Sequence, residues 1–366
     1  MSAQSWLNRM WYSRDAPPSW LLPLEALFGA VSKLRRWLYL KNIRASVRLS
    51  RPVVVVGNLS VGGTGKTPVV CWLVERLQET GHRPGVVMRG FGGSNRRPHL
   101  VRESDDAALV GDEPLLLARR TRALVAVGPE RPAAAQILVD AGCDVIVSDD
   151  GLQHYALRRD CEIVVIDAER GFGNGHLLPA GPLREDRSRL AKVDAIIVNG
   201  ASAGTARFDP TGGQAVRGGE PRRAGPSRVF GMHLQASQAV SLLDSNPRLD
   251  SKPRDLREFS GQSVHAVAGI GNPQRFFTML RAFGMQVIPH ELPDHAVLGP
   301  ADIEFGDGRP VLMTEKDAVK CAAFAKVQHW YVPVSAGFGA GEGAQLLGIV
   351  TRLIGEHGGA AQGNHG

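Results

Sequence analysis

The chain has 366 residues, 43% hydrophobic and 22% charged, with a net charge of +7 and a mean hydropathy of −0.11. This length exceeds one ordinary core and points to two domains, each with its own apolar interior. Cys71, Cys143, Cys161 and Cys321 are scattered with no CxxC pair, which argues against a zinc site or a disulfide framework and for a reduced, cytosolic setting.

Residues 1–51 contain nine basic and two acidic side chains, so they account for the whole excess charge and the remainder is balanced. This segment lacks the apolar core and cleavage site of a secretory signal, and Glu25 and Lys33 interrupt it well short of a membrane span. Leu24, Leu27, Phe28, Val31, Leu34 and Leu38 recur at helical spacing, with Lys33, Arg35, Arg36 and Lys41 outside the stripe and Trp20, Trp37 and Tyr39 nearby. Two readings fit that pattern: a helix packed on the body with a solvated basic side, or a helix lying on an anionic membrane surface.

Downstream, apolar runs at 52–57, 85–90, 123–128, 144–150, 162–167 and 195–200 alternate with helical patterns. Runs apolar on both faces suit buried parallel strands, so the expected fold is α/β, a P-loop NTPase-like, doubly wound, mostly parallel sheet over 51–227. Residues 201–227 read as a Gly/Arg/Pro/Ser-rich insertion or boundary. A second, smaller α/β domain is expected over 228–335, from the runs 265–271, 285–290 and 309–317 and a helix from Phe276 to Phe283. The runs 228–234 and 329–334 are expected to pair as a two-stranded hinge, and 336–366 to form a final helix with a disordered glycine-rich tail from Gly358. No internal repeats occur.

The stretch RPVVVVGNLSVGGTGKTPVV, 51–70, carries a strand into a glycine turn and a helix. A phosphate site needs converging backbone N–H groups, a helix N-terminus, a lysine for the outer phosphates and a hydroxyl for Mg²⁺. Ser60, Val61, Gly62, Gly63, Thr64, Gly65, Lys66 and Thr67 meet that need, with Pro68 suited to the first helical turn. Ser60 departs from the general motif, which has glycine there. Asp149 and Asp150 leave a buried strand side by side, an arrangement that repels unless a cation intervenes, and are the expected Mg²⁺ ligands with Thr67.

GNLSVGGTGKTP, RGFGG (89–93), GDEP (111–114), DDGLQH (149–154), GNGHLLPAGPLRE (173–185), PDH (293–295) and TEKD (314–317) appear in an order that resembles the tetraacyldisaccharide 4′-kinase family, including its serine at position 60. The resemblance covers most of residues 50–320. It implies transfer of the ATP γ-phosphoryl group to the 4′-hydroxyl of a tetraacylated disaccharide 1-phosphate, giving lipid IVA at the cytoplasmic face of the inner membrane. It also matches Asp112 and His295 to a dyad that activates the sugar hydroxyl, beside Lys66. The bland reading makes Asp112 the N-cap of the helix before Pro114 and His295 a loop histidine.

Glu113 and Glu185 are expected as sugar-contacting or Mg²⁺-shell carboxylates, Gln153 and His154 as facing the site, and Arg89 and Arg184 as phosphate ligands. Lys316 and Asp317 are expected either to approach the nucleotide or to form a lone exposed ion pair. GIGNP (269–273) reads as a strand-to-helix turn. The rival class, a membrane-associated partitioning or division-site ATPase, carries a lysine immediately before the paired glycines, where this chain has Val61. A nucleic-acid arm is disfavoured because tryptophans and an apolar stripe lie among the charges. The expected partners are thus the anionic lipid acceptor and the membrane surface, with no nucleic acid, and the chain is read as a monomer.

Overall fold

A computed structural model of the chain describes residues 3–13, 15–200, 228–243, 253–294 and 296–362. The expected insertion at 201–227 and His295 lie outside the described residues. Two helices come first, α1 (Ala3–Tyr12) and α2 (Leu22–Leu40). They precede β1 (Val53–Gly57), α3 (Lys66–Glu79), β2 (Pro84–Met88), β3 (His99–Leu100), α4 (Ala107–Val110), α5 (Asp112–Thr121) and β4 (Leu124–Val127). The chain continues through α6 (Arg131–Asp140), β5 (Val145–Asp149), β6 (Cys161–Asp167), β7 (Ala195–Asn199) and β8 (Arg228–Gln235).

It then builds β9 (Gln238–Ser241), β10 (Arg254–Asp255), β11 (Ser263–Ala268), α7 (Pro273–Ala282), β12 (Gln286–Glu291), β13 (Val311–Thr314), α8 (Glu315–Cys321) and β14 (His329–Val332). The last elements are β15 (Ser335–Phe338) and α9 (Glu342–Gln362), so the final helix runs past Gly358, where a tail was expected.

Among these strands a nine-stranded sheet has the order β15-β8-β7-β6-β1-β5-β2-β4-β3, and a six-stranded sheet the order β10-β9-β14-β13-β11-β12. The larger sheet is parallel except at its edges, where β3 and β15 run antiparallel. All of β1 is buried because both faces are covered. Val54 and Val56 pack with residues of α3, α5 and α9, while Val53 and Val55 pack with those of α6. Strand order reverses at β1, which lies between β5 and β6, and that opens a crevice at its C-terminal end. In the smaller sheet Phe276, Phe277 and Leu280 of α7 cover one face, and Ala318 and Cys321 of α8 pack in the cluster on the other.

The expected pairing of 228–234 with 329–334 does not occur. Strand β8 pairs instead with β15 in the larger sheet, and β14 pairs with β9 in the smaller one. Each run joins the strand of its own sheet, because the chain crosses between sheets after Gln235 and returns before Ser335.

Helix α2 is mounted with its polar side inward. Glu25 accepts from His176 Nδ1 at 2.9 Å and from the Leu177 N–H at 2.8 Å, and Gly29 is buried against Leu177. The opposite face leaves Leu27 62%, Val31 56% and Leu34 56% exposed, with Trp20 and Trp37 also outward. The helix therefore does not bury its apolar stripe on the body. Among the described residues no helix is long and apolar enough to cross a membrane. Loss of the Glu25 anchor in Glu25→Ala is expected to raise amide exchange across Leu22–Leu40 about tenfold and spare β1 and β5. Unchanged α2 exchange by mass spectrometry would place the anchor elsewhere.

Candidate active site

The loop after β1 owes its path to two glycines in the left-handed half of backbone space, Gly62 (φ 113°) and Gly65 (φ 91°). A Cβ on Gly65 would also lie 2.7 Å from Asn199 Nδ2, so no side chain fits there. Ser60 is buried and is not among the positive-φ residues, which explains why glycine is not required at that position. The Val61 N–H donates to Pro182 O at 2.8 Å, so this expected phosphate donor is already committed. Side chains brace the rest of the loop: Asn58 Nδ2 to Gly62 O at 3.3 Å, Asn199 Nδ2 to Thr64 O at 3.1 Å, and the Tyr12 hydroxyl to Val61 O at 3.2 Å. Gln153 Nε2 holds Asn58 O at 3.1 Å. Helix α3 starts at Lys66, so its N-terminus points into the crevice.

At the end of β5, Asp149 is buried and its Oδ1 has no hydrogen-bond partner among the described residues. Burial pushes its carboxyl up to about 7, with Glu113 adding to the rise and Lys66 opposing it. Asp150 adopts φ 47°, a strained conformation for a non-glycine residue. Burial raises its carboxyl too, but Lys66, Arg184 and Arg131 outweigh that and hold it far below the usual range. Lys66 Nζ lies 3.5 Å from Asp150, and Arg184 Nη1 reaches both its oxygens at 3.2 and 3.1 Å. Arg131, buried and bonded to Ser148, is a charge near this pair that no sequence motif marked.

Asp112 is the first residue of α5, with Gly111 (φ 96°) as the N-cap, so the bland N-cap reading of Asp112 does not hold. Its Oδ1 accepts from the Glu113 N–H at 3.0 Å, and its Oδ2 lies 3.4 Å from Lys320 Nζ. Lys316 Nζ pairs with Glu113 at 3.3 Å and with Asp294 at 3.0 Å. It thereby ties the residue before His295 to the residue after Asp112. Asp317 is wholly buried, accepting from Gly269 N and Thr314 Oγ1 at 2.8 and 2.6 Å. Neither Lys316 nor Asp317 is thus half of a lone exposed pair. GIGNP is indeed a turn between β11 and α7, and it approaches the phosphate loop: a Cβ on Gly271 would sit 3.3 Å from Gly63 N. Arg170 Nη2 donates to Gly271 O at 2.7 Å, and Arg275 Nη1 meets Asp167, at the end of β6, at 2.9 Å.

The remaining expected residues divide. Arg89 is exposed just beyond β2, on the same edge as Asp149. Burial, together with Arg131 and Arg159, brings His154 down to about 4, so its ring is neutral at physiological pH. Glu185, expected with the metal ligands, instead accepts from the Tyr155 hydroxyl and faces Arg189 Nε at 3.5 Å. Its Oε2 has no hydrogen-bond partner among the described residues. With Arg184, Arg189, Gly29 and Arg36 it lines a cavity of about 160 Å³ beneath α2. Asn199, Arg131 and Lys320 were missed because each is an isolated polar residue whose partner is remote in sequence.

A family model described as LpxK, Tetraacyldisaccharide-1-P 4'-kinase, matches residues 18–351. The chain is 46% identical to the Tetraacyldisaccharide 4'-kinase of Nitrosococcus oceani over 351 residues, 95% of each chain. It is 50% identical to that of Alkalilimnicola ehrlichii over 335 residues, 90% of this chain and 92% of the relative. The crystal structure of an "apo" form of LpxK from Aquifex aeolicus in complex with ATP superposes with a TM-score of 0.74. That match covers 92% of this chain and 99% of the other at 24% identity, a likeness of fold. Spanned by the family model and matched by relatives nearly half identical along almost its whole length, this chain belongs to the tetraacyldisaccharide 4′-kinase family.

Proposed function

We infer that this chain is an ATP-dependent kinase that phosphorylates the 4′-hydroxyl of a tetraacylated glucosamine disaccharide 1-phosphate to give lipid IVA. The observation that carries the reading is the convergence of Lys66, Asp149, Asp150 and the Asp112–Glu113 pair about one crevice in a chain of this family. The loop from Gly62 to Thr67 and the N-terminus of α3 receive the ATP phosphates, and Lys66 exchanges Asp150 for the β- and γ-phosphates. Asp112, with His295, accepts the sugar hydroxyl proton. The new O–P bond forms as the bond from the γ-phosphorus to the β-phosphate oxygen breaks, leaving ADP.

Mg²⁺ suits the donors present. Among the described residues no group of three metal-ligating side chains occurs, but Mg²⁺ takes one or two protein oxygens and completes its shell with phosphates and water. The partnerless Asp149 oxygen and the Thr67 hydroxyl supply those. Once bound, the ion neutralises charge developing on the phosphates. Glu185, Gln153, His154, Arg89 and Arg184 border the path of the disaccharide. Closure of the smaller α/β lobe over the phosphate loop, at the short crossings 236–237 and 333–334 between the two sheets, accompanies binding.

The outward stripe of α2, flanked by Lys33, Arg35 and Lys41, supports a peripheral seat on an anionic bilayer. There the acceptor's sugar can approach the charged residues beneath the helix without leaving the headgroup layer. The partitioning-ATPase alternative lacks its signature lysine at Val61.

Purified protein supplied with γ-labelled ATP, Mg²⁺ and the detergent-dispersed disaccharide lipid is expected to place label in the lipid. Label found only in inorganic phosphate would reject the kinase reading. Leu27→Glu with Val31→Glu is expected to cut co-sedimentation with anionic vesicles at least tenfold while leaving nucleotide affinity within about twofold. Asp149→Asn is expected to abolish turnover yet stabilise the nucleotide-free protein by about 1 kcal/mol at pH 8. An acid whose folded pKa is raised to about 7 contributes stability at low pH that is lost as pH rises towards that value, and asparagine removes this slope. Thermal melts from pH 4 to 8 check it.

A further inference from the structure

Lys320 lies one helical turn beyond Lys316 on α8 and has no part in the roles assigned above. Its side chain is only 11% exposed, yet it belongs to the smaller lobe and ends against the larger one. The ammonium stands 3.4 Å from Asp317 Oδ1 and 3.4 Å from Asp112 Oδ2.

The two carboxylates are not equivalent. Asp317 is an anchor: its Oδ2 is taken by the Gly269 N–H from the end of β11 and the Thr314 hydroxyl from the end of β13, leaving Oδ1 for Lys320. Asp112 is held from the other lobe, through Oδ1, by the Glu113 N–H at the start of α5. A lysine this deeply placed needs one counter-charge, and Asp317 supplies it. The second contact therefore serves Asp112.

We propose that Lys320 is a positioning residue for Asp112: pinned on Asp317, its ammonium fixes the orientation of the Asp112 carboxylate and balances its charge. The proposal rests on the reading of Asp112 as the group that accepts the sugar proton. It makes that base depend on α8, so the larger lobe carries a fully oriented base only while the smaller lobe is docked. Lys316 links Glu113 and Asp294 one turn earlier and gives the same helix a second hold on the GDEP segment.

The test is a double-mutant cycle in the full chain, using the labelled-ATP assay with the disaccharide lipid at saturation. Lys320→Met is expected to lower kcat about 30-fold with KM for ATP within about twofold, and Lys320→Arg to recover most of the loss. Asp112→Asn is expected to lower kcat by about 10³. The double variant Lys320→Met/Asp112→Asn is then expected to be no worse than Asp112→Asn alone, because the two changes disable one function.

Wild-type kcat in folded Lys320→Met overturns the proposal, and so does a double variant slower than Asp112→Asn by the full Lys320→Met factor. A nearly active Asp112→Asn sinks the reading beneath it instead, whatever Lys320 does. Should Lys320→Met not fold, Asp317→Asn reads the same link from its anchor: the same non-additive loss supports the assignment, and unchanged turnover refutes it.

Discussion

Carboxylates crowd the C-terminal edge of the parallel strands, and the charges set against them organise the molecule. Asp150 is met by Lys66 and Arg184, Asp167 by Arg275, Glu113 by Lys316 and Asp112 by Lys320. Asp149 is the contrast, buried with an oxygen that no described protein group satisfies. Leaving a carboxylate so costs stability unless a cation arrives, and a nucleotide-bound metal is such a cation.

Much of the same charge pairing joins the two lobes. Three of those basic partners cross between them, Arg275 to Asp167 and Lys316 and Lys320 to the GDEP segment, and Arg170 adds a hydrogen bond to the Gly271 carbonyl. Arg120 adds a bridge to Glu315 and to the Val334 carbonyl, just where the chain returns to the larger sheet. Such polar contacts link the two sheets, whose buried apolar residues form separate clusters, while Val319 of α8 packs against the cluster of the larger sheet.

The N-terminal segment obeys a different constraint. A helix with an apolar stripe normally turns it to the core, but α2 turns Glu25 and Gly29 inward and leaves leucines and tryptophans outside. Ionic and hydrogen-bonded anchoring replaces apolar burial here. The body below keeps a cavity bordered by charged residues, and the face above keeps exposed apolar side chains. Helix α1 adds a second attachment, through Trp11 to the Pro179 carbonyl and Tyr12 to the phosphate loop.

The residues alone determined the β-strand runs, the glycine turn into Lys66 and the adjacent aspartates, because each is written in local spacing: valines apolar on two faces, glycines where φ must be positive, charges at a strand end. The GDEP and DDGLQH stretches were legible too, as ordered motifs. Tertiary structure decided what depends on partners distant in the chain. It paired 228–235 with 335–338 rather than with the preceding run, engaged Glu185 with Tyr155 and Arg189, and committed the Val61 amide to Pro182. It also brought Asn199 and Lys320 to the site. Sequence spacing records which face a residue occupies, whereas the charge or carbonyl it meets there is set only when the sheets and helices pack.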